Sequence, residues 1–339
     1  MTKNKKYGLI ILLVTIIVLI ILLKDNFNEI IGVLLGCNIK WLFVVLLVYA
    51  VYFIFDQLSL WFIIRQFRKE IKFKFAIYLG VINKFFSGIT PLSTGGQPAQ
   101  IYELHKKGVS ISTATNMQIQ AFLVFQIAVI IWGTTSIILN HTLGLFERIP
   151  LLREMTIIGF TINFLILVLV ILVSFSKNFN RTIITFIINI LHKLKIVKHV
   201  DKQKKKWNKI CDNYYENAKE LWNNKKTLIS CIFFQLISLS LYYVLPFFIA
   251  MSLGLGENFA IYSTIAASSY VFITGCFIPI PGATGGMEYG FLGFFGNFIK
   301  GYELNALLLS WRFLTYYLPT IVGAIIFNIK SNTRSKYEG

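Results

Sequence analysis

The sequence PLSTGG at residues 91–96 is matched 190 residues later by PGATGG at residues 281–286. Both copies interrupt apolar stretches, 75–104 and 259–298, which would otherwise be long enough to cross a bilayer. Proline and glycine break helical geometry, and hydrocarbon satisfies none of the backbone polar groups that a break releases. Such a break must be buried in protein or line a cavity. The repeat therefore predicts two broken segments, one in each half of the chain, around a polar space.

The composition places the chain in a membrane, because 56% of its residues are hydrophobic and only 14% are charged. A helix needs roughly 20 apolar residues to span the hydrocarbon core. The sequence predicts an all-α polytopic integral membrane protein with about six spanning helices and two re-entrant broken-helix hairpins in an inverted repeat. The predicted spans are Tyr7–Leu23, Trp41–Ile64, Ile111–Leu139, Met155–Phe175, Thr227–Ala250 and Asn305–Ile329.

We attribute the net charge of +18 to membrane topology, since Lys and Arg residues concentrate on the cytoplasmic side of membrane proteins. We do not expect a nucleic-acid partner. With both termini in the cytoplasm and the six spans alternating, 26 of the 33 Lys and Arg residues fall on the cytoplasmic side. This arrangement requires the first broken segment to enter and leave from the cytoplasm and the second to do so from outside. We expect a multi-pass protein of a bacterial-type cell membrane.

The two broken segments therefore have opposite predicted orientations, as in transporter folds whose substrate sites lie at the bilayer midplane. We interpret residues 1–339 as one transmembrane domain, with a first half at 1–175, a basic cytoplasmic linker at 176–226 and a second half at 227–339. The linker carries 13 Lys or Arg residues against four acids. It is predicted to lie on anionic headgroups, to dock a cytoplasmic partner, or only to enforce the topology.

Ionisable residues inside apolar segments are costly and mark candidate sites. We expect Arg312 to bind a lipid phosphate and Glu288 to tune or release it, with Asp56 and Lys84 as possible charge partners. The full set of candidate substrate-binding or translocation residues is Thr94, Gly95, Gly96, Gln97, Gln100, Glu103, Pro281, Gly282, Thr284, Gly285, Gly286, Glu288 and Arg312.

Amide side chains add neutral hydrogen-bonding groups near the first break, either along a headgroup path or only between helices. They are Gln97, Gln100, Asn116, Gln118 and Gln120.

Groups for catalysis or metal binding are not apparent in the sequence. The four cysteines are widely spaced and form no CxxC pair. The histidines at 105, 141, 192 and 199 are isolated, with no nucleophile at a catalytic spacing. We therefore predict no catalytic residue, no metal and no cofactor.

Three motifs carry a resemblance to a known family: TPLSTGGQPAQIYE at 90–103, PIPGATGGME at 279–288 and the Trp311-Arg312 pair. With them the chain resembles the transmembrane, flippase-like domain of bacterial lysylphosphatidylglycerol synthases and its stand-alone relatives. In full-length members a soluble domain moves lysine from lysyl-tRNA onto phosphatidylglycerol, and the family is linked to resistance against cationic peptides. The nine residues from 331 to 339 cannot hold that domain, so we expect a stand-alone member.

The predicted function is translocation of a phospholipid, of the lysylphosphatidylglycerol or phosphatidylglycerol type, or of a polyprenyl-linked lipid, between leaflets. The expected partner is a membrane phospholipid with an anionic headgroup. The alternatives are a phosphatidylglycerol lysyltransferase and a membrane scaffold for a separate soluble synthase. The residues favour a transporter over an enzyme.

Overall fold

Helices dominate this computed structural model, which describes residues 27–145, 150–193, 223–275 and 280–335 and the isolated positions 203, 215 and 219. No strand occurs among these residues. The all-α polytopic prediction is confirmed, and the predicted span Tyr7–Leu23 lies outside the described residues. Five helical segments are long and apolar enough to cross a membrane: Ile39–Phe67, Ile111–Leu143, Pro150–Leu172, Lys225–Ser252 and Gly301–Lys330.

Helices in the described ranges are numbered in chain order. They are α1 (Phe27–Leu35), α2 (Ile39–Phe67), α3 (Phe73–Gly88), α4 (Gly96–His105), α5 (Ile111–Leu143), α6 (Pro150–Phe175), α7 (Lys177–Lys193), α8 (Lys225–Ser252), α9 (Ile261–Gly275), α10 (Gly286–Phe295), α11 (Gly301–Arg312) and α12 (Leu318–Ser335). A π-helical turn, Phe313–Tyr317, joins α11 to α12.

The sequence repeat is also a structural repeat. A single 3₁₀ turn, Pro91–Ser93, separates α3 from α4, and the matching turn Pro281–Ala283 lies between α9 and α10. We call these turns the first break and the second break. The second residue of each has a positive φ, 53° at Leu92 and 66° at Gly282, and so does the third residue of each. The two breaks therefore share an unusual left-handed backbone geometry.

The arms of each hairpin are too short to cross a bilayer separately. The 16 residues of α3 span roughly 24 Å and the ten of α4 roughly 15 Å, against a hydrocarbon thickness of about 30 Å. Helix α3 packs on α4, and α9 packs on α10 in the same way. Entry of the two hairpins from opposite faces of the membrane, which alternation of the spans would require, stays a prediction.

The two halves interlock. Helix α2 of the first half packs along α8 of the second. Helix α3 packs against α12 of the second half, and α9 packs against α5 of the first half. The two breaks contact each other. Each hairpin is therefore supported by a span of the opposite half, and the two breaks meet where the halves join.

The amphipathic helix α7 lies inside the predicted basic linker and leaves Phe186 and Ile190 exposed. Residues 194–222 lie almost entirely outside the described part of the chain, so contact of the linker with headgroups stays a prediction, as does the division of the chain at 175 and 227.

Glycine allows the close approach of α3 and α12. A Cβ atom added at Gly323 would lie 2.6 Å from the Cβ of Phe85 and 2.9 Å from the carbonyl oxygen of Val81. These neighbours are backbone or stem atoms that cannot turn away, so the helices can pack at this distance only with glycine at this position.

We expect Gly323→Ala to destabilise the folded protein by about 1–3 kcal/mol, because the added methyl group overpacks this contact. Gly32→Ala is the matched control, since a Cβ there meets nothing within 4 Å. Thermal unfolding in detergent measures both variants. Equal midpoints for Gly323→Ala and the control would contradict the proposed packing.

Candidate functional site

A cavity of about 720 Å³ lies where the two breaks meet, with α2, α5, α6, α8 and the last span around it. Its lining is unusually polar for an apolar protein. Amide side chains predominate among the polar groups of the lining: Gln57, Asn83, Gln97, Gln100, Gln118, Gln126, Asn163 and Gln235.

Three ionisable side chains also line the cavity: Asp56, Lys84 and Arg312. Lys84 donates a hydrogen bond of 2.6 Å from Nζ to the hydroxyl of Tyr52. Asp56 accepts hydrogen bonds from the amides of Gln57 at 2.7 Å and Gln235 at 3.2 Å. No ion pair joins Lys84 to Asp56 in the described part of the chain. Both side chains thus bond to neutral groups, and their role as charge partners stays a prediction.

Arg312 and Glu288 hold the second break. Arg312 Nε lies 2.6 Å from Glu288 Oε1, with both side chains about 95% buried, although the N–H is not aligned for a hydrogen bond. Glu288 Oε2 accepts a 2.6 Å hydrogen bond from the backbone N–H of Gly285. Arg312 Nη2 donates to the carbonyl of Gly282 at 3.0 Å and to Thr284 Oγ1 at 3.4 Å. The ion pair thus binds a carbonyl within the break, at Gly282, and the N–H of Gly285 just after it.

The first break is held by neutral groups. The hydroxyl of Thr90 donates to the carbonyl of Phe86 at 2.7 Å and accepts from the N–H of Gly95 at 2.8 Å. Ser87 donates to the carbonyl of Ser93 at 3.2 Å. The residues from 91 to 94 are exposed, whereas those from 281 to 284 are buried or half-buried. The first break is therefore the more exposed of the two, although both reach the cavity wall, the first through residues 92–94 and the second through Gly282 and Ala283.

Glycine also allows close packing of side chains at the first break. A Cβ on Gly96 would lie 2.3 Å from the hydroxyl oxygen of Ser87. The adjacent Gln100 is buried, accepts a hydrogen bond from Asn83 at 3.1 Å and donates to the carbonyl of Leu79 at 3.1 Å. These contacts fix α4 against α3 and hold Gln100 in the cavity wall.

Glu103 is not part of the cavity. It is buried at the far end of α4, 3.1 Å from Lys106 Nζ and 4.0 Å from Lys330 Nζ. In the 190-residue register of the repeat, Pro98 occupies the position equivalent to Glu288. The acid beside a tyrosine in each half is therefore not an equivalent feature, and Glu103 attaches the last span to the first hairpin.

The structure divides the predicted site residues into groups. The cavity wall contains Asp56, Lys84, Thr94, Gln97, Gln100, Gly282 and Arg312. The residues that form or support the breaks, outside the wall, are Gly95, Gly96, Pro281, Thr284, Gly285, Gly286 and Glu288. Of the other predicted amides, Gln118 joins the wall, whereas Asn116 and Gln120 are hydrogen-bonded to each other and buried outside it.

Sequence reasoning missed Tyr316 and several amides on the spans. The hydroxyl of Tyr316 donates to the carbonyl of Gly88 at 3.0 Å, and its ring lies 4.7 Å from the guanidinium carbon of Arg312. The π-helical turn that carries Tyr316 has no simple sequence signal, although such turns are frequent at functional sites. Four amides lie within apolar runs, and this position could have identified them from the sequence as candidates: Gln57, Gln126, Asn163 and Gln235.

Comparison with known proteins identifies the family of the chain. The family model described as "Lysylphosphatidylglycerol synthase TM region" matches residues 8–323. The chain belongs to this family. The resemblance predicted from the motifs is confirmed. Both breaks and the Trp311-Arg312 motif lie inside the matched region.

Two relatives extend the comparison. A "UPF0104 membrane protein" of Archaeoglobus fulgidus is 25% identical over 277 residues, covering 79% of this chain and 79% of the relative. An "uncharacterized protein", MG306 of Mycoplasma genitalium, is 21% identical over 342 residues, covering 94% of this chain and 86% of the relative. The similarity to each extends over most of both chains.

We expect Glu288→Gln to destabilise the protein by about 3–5 kcal/mol, because Arg312 is left buried without its carboxylate. The double variant Glu288→Gln/Arg312→Gln removes both charges and should recover most of that loss. Thermal or denaturant unfolding of the two single variants and the double variant measures the coupling. Additive effects of the two substitutions would contradict the role given to the ion pair.

Proposed function

We propose that this protein moves an anionic phospholipid, or a polyprenyl-linked lipid with an anionic headgroup, between the leaflets of a cell membrane. The headgroup passes through the cavity while the acyl or prenyl chains stay in the surrounding lipid. The observation that carries the proposal is the meeting of the two breaks at a polar cavity inside an otherwise apolar protein. The opposite orientation predicted for the two hairpins supports it.

The lining of the cavity suits a headgroup that leaves water. Asn and Gln side chains offer donors and acceptors that replace lost hydration. Lys84 forms no ion pair with a carboxylate in the described part of the chain, and its half-buried ammonium would attract a phosphate. The charge of Arg312 is already compensated by Glu288, so Arg312 does not offer a free charge to a headgroup. Instead it binds the carbonyl of Gly282 in the second break.

The unequal exposure of the two breaks supports alternating access. The tip of the first break is exposed and the second is packed, which fits a state open to one side of the membrane. In an inverted repeat, exchange of these two conformations would open the cavity to the other side. The strained positive φ values of Leu92 and Ser93 fit a segment whose conformation changes.

Both termini are proposed to lie in the cytoplasm, because that orientation puts most basic residues on the cytoplasmic side. A green fluorescent protein fused after Gly339 should then fluoresce in a bacterial host, and alkaline phosphatase fused at the same place should be inactive. A fusion after Leu145, in the α5–α6 connection, should give the opposite pattern. An active phosphatase at the C-terminus would overturn the orientation.

The translocation test uses liposomes with a fluorescent phosphatidylglycerol in both leaflets and a chemical quencher outside. Wild-type protein should lower the protected fluorescence relative to empty liposomes. The double variant Glu288→Gln/Arg312→Gln should slow translocation by about tenfold or more, since it loses the charge-assisted hydrogen bonds that shape the second break.

The matched control is Arg68→Gln/Glu70→Gln, which removes an exposed ion pair far from the cavity and should translocate like wild type. A wild-type translocation rate in the Glu288→Gln/Arg312→Gln variant would contradict a role of the second break in translocation. If liposomes with wild-type protein keep the same protected fluorescence as empty liposomes, phosphatidylglycerol is not the transported lipid.

A further inference from the structure

Three lysines lie where the last span ends against the first hairpin, outside the cavity wall. Lys330, near the end of α12, lies 4.0 Å from the carboxylate of Glu103, and Lys106 lies 3.1 Å from the same carboxylate. The Nζ atoms of Lys330 and Lys107 lie 5.6 Å and 5.7 Å from the ring centroid of Phe75 on α3. We call Lys106, Lys107 and Lys330 the basic cluster. Its members come from both halves of the chain and meet because α12 packs on α3.

The positive charge of the basic cluster is only partly offset by Glu103. Two of the three lysines share this carboxylate, and the third forms no ion pair in the described part of the chain. Aromatic faces are the other contacts: Lys330 Nζ lies 3.2 Å from the ring centroid of Tyr78, and Lys106 Nζ lies 3.8 Å from that of Tyr102. Ring faces attract ammonium groups but carry no net charge, so the lysines still repel one another. A bound anion would relieve this repulsion.

The neighbouring chain adds more positive charge. Three segments meet at the basic cluster, 64–75, 102–110 and 328–335, and the first two are joined by a 2.6 Å hydrogen bond from Arg68 Nη2 to the carbonyl of Gly108. Together the three segments carry nine Lys or Arg residues against two acids. This end of the molecule therefore attracts anions.

The lysines of the basic cluster are accessible from outside the protein. The side chains of Lys106 and Lys330 are 32% and 35% exposed, and Lys107 is exposed as well. The side chain of Glu103 is only 3% exposed. Glu103 therefore contacts the lysines from the protein interior, and their outer faces are open to a second anion.

The basic cluster lies at the end of a membrane-spanning segment, because Lys330 is the last residue of the apolar segment Gly301–Lys330. Ile329 and Tyr102 beside it are 61% and 58% exposed. Tyrosine is enriched where the bilayer meets water, and long lysine side chains reach toward the same level. The phosphates of anionic lipids lie at this level too, so they are the anions that the outer faces of the lysines meet first.

We propose that the basic cluster binds the phosphate of an anionic phospholipid, at a site separate from the cavity. Basic pockets between membrane helices bind lipid headgroups in this way. The phosphate contacts the outer faces of Lys106, Lys107 and Lys330, and an acyl chain lies along Ile329. Because these lysines belong to the first hairpin and to α12, the bound lipid holds the last span on the hairpin. The site goes beyond the proposed translocation and does not depend on it.

The experiment compares two lipids with identical acyl chains, anionic phosphatidylglycerol and zwitterionic phosphatidylcholine, added to the purified full-length protein in neutral detergent. Native mass spectrometry counts the bound lipids, and thermal unfolding measures the stabilisation that each lipid gives. We expect phosphatidylglycerol to bind more tightly than phosphatidylcholine and to raise the unfolding midpoint further. Added salt should reduce this difference, because the lysines are partly exposed.

Two variants of the basic cluster test the role of its charge. Lys107→Gln/Lys330→Gln should weaken phosphatidylglycerol binding by about tenfold or more and remove the extra stabilisation. Lys106 still pairs with Glu103 in this variant, so the buried carboxylate keeps a partner. Lys107→Arg/Lys330→Arg keeps both charges and should bind phosphatidylglycerol like wild type.

Two further variants serve as controls. Lys40→Gln/Lys300→Gln removes the same number of charges from exposed positions outside the basic cluster and should respond to phosphatidylglycerol like wild type. Lys84→Met alters only the cavity wall. Adding Lys107→Gln/Lys330→Gln to Lys84→Met should cause the same loss of binding as in wild type, because the two sites are separate.

An equal response to phosphatidylglycerol in Lys107→Gln/Lys330→Gln and in wild type would overturn the proposal. So would equal stabilisation of wild type by phosphatidylglycerol and phosphatidylcholine. Glycerol phosphate is the soluble arm: binding as tight as that of phosphatidylglycerol would overturn the assignment to a lipid in favour of a soluble anion. Loss of lipid binding in the cluster variant, together with no translocation by wild type in liposomes, would support this site and contradict the proposed function alone.

Discussion

A backbone that leaves helical geometry inside a bilayer must find partners for its NH and CO groups within the protein, and this constraint shapes both halves of the molecule. The second break meets it with charge, because Glu288 binds the N–H of Gly285 and Arg312 binds the carbonyl of Gly282. The first break meets it with the hydroxyl of Thr90. Two copies of one motif thus use different chemistry to hold the same backbone turn.

This difference gives the two hairpins different roles. The second hairpin is packed in the largest apolar cluster, with the phenylalanines at 291, 294 and 295 fully buried. The first hairpin contributes more polar residues to the cavity wall than any other element, and its tip is exposed. Tyr316 joins the two, since its ring packs on Gly282 while its hydroxyl bonds to Gly88. A movement of either break would therefore be transmitted to the other through the side chain of Tyr316.

Much of the fold could be predicted from local pattern. The spans are long apolar runs, and the repeated glycines and prolines identified both breaks. Candidate site residues were harder to separate, because pattern does not show what a polar side chain contacts. Glu103 and Glu288 look alike in sequence as acids beside tyrosines, yet one lies with lysines at the end of α4 and the other caps a broken backbone. Asn116 and Gln118 are two residues apart on α5, and only Gln118 lines the cavity.

The sequence by itself determined the membrane environment, the helical class, the two broken segments and the family, because these depend on composition, run length and short motifs. The tertiary structure decided which polar residues share a cavity. Asp56, Lys84, Gln118 and Gln235 lie on four different helices, and their approach follows from the packing of α2 against α3, α5 and α8. Such contacts between distant segments arise from packing of the whole bundle, which no local pattern records.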